Sequence, residues 1–68
     1  MNKKNEIGKN AGIVWELLNT KGELNLTEMY KITKLSEVKI AYGIAWLFSE
    51  DKLYYNEKTK KFGLKGGN

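Results

Sequence analysis

The stretch Leu35-Ser36-Glu37-Val38-Lys39-Ile40-Ala41-Tyr42-Gly43-Ile44-Ala45-Trp46-Leu47-Phe48-Ser49-Glu50-Asp51-Lys52-Leu53 decides how this chain is read. Ile40, Ala41, Ile44, Leu47 and Phe48 recur at i, i+1, i+4, i+7 and i+8, the spacing of one helical face. The pattern predicts a helix over 37–50 that starts at a Ser36 cap, with Leu35 and Ile40 at the two positions of a hydrophobic staple. At about 100° per residue, Lys39, Tyr42 and Trp46 fall within about 40° of the point opposite that stripe and are expected to face outward.

Upstream, Lys34-Leu35-Ser36 is a tight connection. Before it, Asn25 followed three residues later by Glu28 makes a capping box, and Leu24 and Met29 stand where a second staple would close. This predicts a short helix over 26–33 that buries Leu26, Met29 and Tyr30. Glu23-Leu24 is long enough only for a stub of strand. Further back, apolar residues at 7, 11, 14, 15 and 18 predict a helix over 6–20, with Asn5 as its cap, Gly22 as its stop and Ile13 and Leu17 widening its stripe. Trp15 is its expected core anchor.

Downstream, Leu53-Tyr54-Tyr55 and Lys61-Phe62-Gly63-Leu64 are two runs of strand formers around the polar segment 56–60, which predicts a hairpin. Leu53, Tyr55, Phe62 and Leu64 should form its buried face, and its tip should carry Lys58, Lys60 and Lys61. Phe48 is expected in the core, and Trp46 is expected to be covered by the hairpin through contact with Tyr54. Residues 6–65 form a single domain, between a flexible N-terminal arm (1–5) and a disordered tail (66–68).

Composition narrows the chemistry. The 68 residues contain no Cys and no His, which removes structural zinc, nucleophilic thiols and imidazole catalysis. Glu50 and Asp51 are adjacent, and neighbours in sequence do not share a helix face, so they are no catalytic dyad. The expectation is a non-enzyme with no catalytic residues, no cofactor and no metal. No apolar run approaches the roughly 20 residues of a membrane span, and no apolar stretch follows the basic start, so a cytoplasmic location without membrane partners is expected.

All twelve cations are Lys, and the net charge of +4 is unevenly placed. Residues 1–9 carry +2, residues 10–57 carry −2, and the tail from Lys58 onward carries +4. Positive charge at both ends suggests an anion-binding footprint. The absence of Arg weakens base reading, because Arg makes the commonest specific contact with guanine.

The order helix, strand stub, short helix, tight turn, longer helix, hairpin resembles the winged helix-turn-helix superfamily, an α+β fold of three helices with a C-terminal β-hairpin wing. Ile7-Gly8-x-Asn10-Ala11-Gly12-x-Val14-Trp15, with Ala45-Trp46-Leu47 and Glu50-Asp51-Lys52, is similar to a family of small stand-alone bacterial winged-helix domains of uncharacterised function. The chain departs from that family's pattern at Ala45, where Gly is usual, and at Ser49, where a basic residue is usual. The resemblance implies double-stranded DNA as partner, with helix three in the major groove and the wing and arm on phosphates, in a role linked to transcription. Base-edge candidates are then Ser36, Lys39, Tyr42 and Trp46; phosphate candidates are Lys58, Lys60, Lys61, Lys3 and Lys4. Against this, helix three holds one Lys and two Glu. The alternative is a protein-interaction or self-association module without DNA binding, with a protein partner or a second copy of the chain (a homodimer) docking on Tyr42 and Trp46.

Overall fold

A computed structural model describes residues 3–67, with side chains from Gly8 to Gly66. Its elements are α1 (Lys3–Lys21), α2 (Leu26–Thr33), α3 (Glu37–Ser49), β1 (Leu53–Asn56), β2 (Lys61–Leu64) and a closing 3-10 turn (Lys65–Gly67). The strands pair antiparallel, Leu53 with Leu64 through Asn56 with Lys61. Leu24 adds a single bridge to Phe62: its N–H donates to the Phe62 carbonyl at 3.0 Å, and the Phe62 N–H donates back at 2.9 Å. The predicted strand stub is therefore a third segment beside the two-stranded wing, joined to β2 by one bridge.

The helix ends follow from local chemistry. Gly22 takes the left-handed conformation (φ 84°) that ends α1, and its N–H donates to the Leu18 carbonyl. The capping box opens α2: the Glu28 N–H donates to Asn25 Oδ1 at 2.8 Å and the Asn25 N–H to Glu28 Oε1 at 2.9 Å. Ser36 caps α3 by accepting from the Lys39 N–H at 3.2 Å. Past the end of α3, Asp51 is left-handed (φ 60°). The Asp51 N–H reaches the Phe48 carbonyl and the Lys52 N–H the Leu47 carbonyl, a Schellman closure that aims the chain into β1.

Two boundaries differ from expectation. The first helix begins at Lys3 rather than 6, so residues 3–5 of the expected flexible arm are helical and Asn5 is no cap. Residues 66 and 67 lie in the closing turn instead of a disordered tail, with Gly66 left-handed at its kink.

The core comprises Ala11, Val14, Leu17 and Leu18 of α1, Leu24, Met29, Ile40, Ile44 and Leu47 of the helix-turn-helix, and Leu53 of the wing. Trp15, Leu35, Trp46, Phe62 and Leu64 pack against it while partly exposed. Of the residues assigned to the core by pattern, Leu26, Tyr30, Phe48 and Tyr55 are exposed. In α2 the inward direction is taken by Met29, from which Leu26 and Tyr30 are turned by about 60° and 100° around the helix.

The burial of α3 is the consequential difference. Its inward residues are Ile40, Gly43, Ile44 and Leu47, not Ala41 and Phe48. On a helical wheel the buried face is turned by about 50° from the hydropathy stripe. The cause is Gly43: a Cβ there would lie 2.9 Å from the Asn10 carbonyl oxygen and 3.1 Å from Val14 Cγ2. The backbones of α1 and α3 approach at the one position of α3 that has no side chain, and the helix rotates to seat it there.

Gly43→Ala should therefore cost about 1–3 kcal/mol, since rigid backbone cannot yield to the new methyl. Gly12→Ala, with nothing within 4 Å of its Cβ, should instead be neutral or stabilising by up to about 1 kcal/mol. Urea unfolding of the two variants measures the contrast.

Candidate functional site

Rotation of α3 decides what the domain presents. Val38, Tyr42, Ala45 and Ser49 now lie within about 30° of the outward direction, and Ala41 beside them is also solvent-facing. None is charged. Val38 is 60% and Tyr42 55% exposed. The charges of α3, Glu37 and Lys39, sit on its flanks, about 70–90° from the buried direction.

The same rotation moves Trp46 towards α1. It is half-buried and lines a cleft of about 240 Å³ together with Gly8, Gly12, Trp15, Glu50 and Lys52. Trp46 thus has the packing role expected of it, but against α1 rather than Tyr54. Phe48 moves the other way, to 40% exposure, and meets Phe62 edge-on with ring centroids 6.0 Å apart. Phe62 in turn contacts Tyr55 at 5.0 Å. An aromatic row therefore runs from the end of α3 across one face of the wing, continuous with the apolar face of α3.

The other face of the wing is held by Glu23. Its carboxylate accepts from Tyr54 Oη at 2.7 Å, Thr59 Oγ1 at 2.9 Å and Asn56 Nδ2 at 3.2 Å. These three bonds to the charged form hold the Glu23 carboxyl below its ordinary value of 4.5, the Tyr54 hydroxyl contributing most. Reciprocally, the Tyr54 phenol is pushed above 10.0. The Tyr54 ring lies directly over its cross-strand partner Gly63, where a Cβ would collide with it. Sequence reading missed this clamp because its members are 31 to 36 residues apart and none belongs to a recognisable motif.

The tip is built by Asn56, whose Oδ1 accepts from the Lys58 N–H at 2.9 Å, with Lys60 left-handed (φ 62°) returning the chain to β2. Lys58 and Lys60 are exposed there and form no ion pair among the described residues. Lys61 belongs to β2 rather than the tip, and its Nζ lies 3.5 Å from Glu28 Oε2 on α2. Glu28 is held below its ordinary value, first by the Asn25 N–H and then by Lys61. With Glu57 and the clamped Glu23 beside them, the two free lysines of the tip are balanced to no net charge.

The phosphate candidates do not converge. The wing tip is tied to Glu23 just beyond the C-terminus of α1, while Lys3 and Lys4 lie at its N-terminus, about 27 Å away along the helix. Side chains of Lys3 and Lys4 lie outside the described residues. Of the base-edge candidates, Tyr42 faces outward, Lys39 lies on the flank, Ser36 is engaged as a cap and Trp46 is packed inward. Among the described residues no group of three or more Asp or Glu is placed to hold a metal, and no helix is long and apolar enough to cross a membrane.

A helix-turn-helix followed by a hairpin sheet that includes a strand stub defines a winged helix. Residues 1–65 match the family model described as "Winged helix-turn-helix domain (DUF2582)", and the chain belongs to that family. No curated protein matches the chain.

The clamp has a pH signature. A carboxyl whose folded value is depressed is protonated first in the unfolded chain as pH falls, so its stabilisation is complete above the ordinary value of 4.5 and is lost as pH drops through the folded value. Thermal melts should show wild type more stable than Glu23→Gln at neutral pH, with the difference shrinking steadily in acid.

Proposed function

We propose that the domain is a protein-docking module on a winged-helix scaffold, and that the α3–wing surface meets protein rather than bases. One observation carries the reading: the face that a winged helix would turn into a groove is centred here on Val38, Tyr42, Ala45 and Ser49 with Ala41 beside them, all exposed and all uncharged, and the exposed Lys39 stands at its edge. It runs on into Phe48, Phe62 and Tyr55. Clustered aromatic and small apolar residues around an uncharged centre are the composition of protein interfaces, whereas nucleic-acid surfaces are basic and rich in Arg. Pairing of Lys61 with Glu28 and balancing of the tip by Glu23 and Glu57 weaken the phosphate footprint further.

A second reading has its own support. Family membership and the two exposed tip lysines, Lys58 and Lys60, favour double-stranded DNA held through its phosphates. Titration of labelled protein with a short duplex at low and moderate salt separates the two. Docking on protein predicts no amide shifts at Val38, Tyr42 or Ala45. Shifts along α3 that fade with salt, with a log–log affinity slope of about −3 to −5, would overturn it in favour of groove binding. In that case Lys58→Glu combined with Lys60→Glu should abolish the shifts.

A further inference from the structure

We infer that the occupant of the α3 face is a second copy of this chain, bound as an antiparallel two-fold pair of α3 helices. The inference rests on the protein-docking reading and adds the partner and its orientation. Val38, Tyr42, Ala45 and Ser49 are spaced four, three and four residues apart, the alternation of a two-helix seam. The fully inward positions of α3 belong to the domain's own core, so this seam is a second, unpartnered one on the opposite side of the same helix.

Side-chain sizes along the seam are graded. Its N-terminal half holds Val38 and Tyr42, and its C-terminal half Ala45 and Ser49. Antiparallel pairing sets Tyr42 against Ala45 of the second copy and Val38 against Ser49, large against small at every level. Parallel pairing would stack Tyr42 on Tyr42 and leave a void between the alanines, which close packing disfavours. The flanks obey the same rule. Ala41 and Phe48 share one flank, and antiparallel pairing places Phe48 beside Ala41 of the other copy. Lys39 and Glu50 share the other flank at opposite ends of the helix, so each Lys39 approaches the Glu50 end of its mate. Lys39 has no ion pair among the described residues, and Glu50 holds only a loose one, 3.8 Å from Lys52. The antiparallel arrangement also opposes the two helix dipoles favourably.

Area supports the wing's involvement. A helix of 13 residues is about 20 Å long, and its face alone falls short of the roughly 800 Å² per partner of a stable interface. The Phe48–Phe62–Tyr55 row beside the seam extends it. A two-fold contact of this kind is self-complementary and closed, so it ends at the dimer.

Sedimentation equilibrium of the whole chain from micromolar to millimolar concentration should return a dimer at the upper end. Tyr42→Glu, which sets two carboxylates near the axis, should raise the dissociation constant about a hundredfold or more while amide dispersion stays that of the folded domain. Orientation is read by cysteine pairing, which the cysteine-free chain makes unambiguous. A Val38→Cys chain mixed with a Ser49→Cys chain should form the mixed disulfide in preference to either homodimer. Predominant Val38→Cys self-linking overturns the antiparallel arrangement, because those positions would stand about 16 Å apart in it. A monomer at every concentration overturns the dimer but not the docking reading, which falls only if duplex DNA shifts the α3 amides.

Discussion

The close approach of Gly43 to the Asn10 carbonyl is the constraint on which the remaining structure depends. Helices pack at distances set by the side chains between them, and a glycine at the contact lets two backbones meet with almost nothing intervening. Seating that contact fixes the rotation of α3 about its axis. From the rotation follow the inward set Ile40, Gly43, Ile44 and Leu47, the half-burial of Trp46 beside Trp15, and the exposure of Ala41 and Phe48. A turn of about 50° moves Lys39 and Trp46 from the outer face to one flank, brings Val38, Ala45 and Ser49 beside Tyr42 at its centre, and leaves Phe48 on the opposite flank.

The wing is held by different physics. Its hairpin has four residues per strand, too little to be stable in isolation, and it borrows order from three places. Leu24 bridges to Phe62, Glu23 accepts three hydrogen bonds from the side chains of β1 and the tip, and Lys65 pairs with Asp51 while its N–H closes on the Lys52 carbonyl. Two adjacent residues, Glu23 and Leu24, thus anchor both a side-chain network and a backbone ladder. Charge used in this way is not available to a ligand. Glu28 likewise occupies Lys61, which leaves Lys58 and Lys60 as the lysines of the tip without an ion pair among the described residues.

Much of the architecture was legible in the chain. Asn25 with Glu28, Ser36 before an apolar periodicity, Gly22 after one, and two strand runs around a polar tip are local signals, because caps, turns and hairpins are satisfied by residues within a few positions. The α2 range, the strand pair and the stub were read from them as they stand in the fold. The start of α1, the exposure of Phe48 and Tyr55 and the neighbour of Trp46 were not. The apolar periodicity that marks α1 begins only at Ile7 while the helix reaches back to Lys3, and the company of Trp46 depends on which face α1 offers.

Amino-acid order alone determined the element types, their sequence and the absence of thiol and imidazole chemistry, because these depend on residue identity and short-range spacing. Only tertiary structure decided which side of α3 faces out and which lysines remain free. The reason is steric and long-range: hydropathy weights Phe48 and Ala41 as core and Gly43 as nothing, whereas packing ranks positions by how closely another backbone can come. Helical periodicity measures the first quantity and is blind to the second, so the outward face of α3 was set by a residue without a side chain.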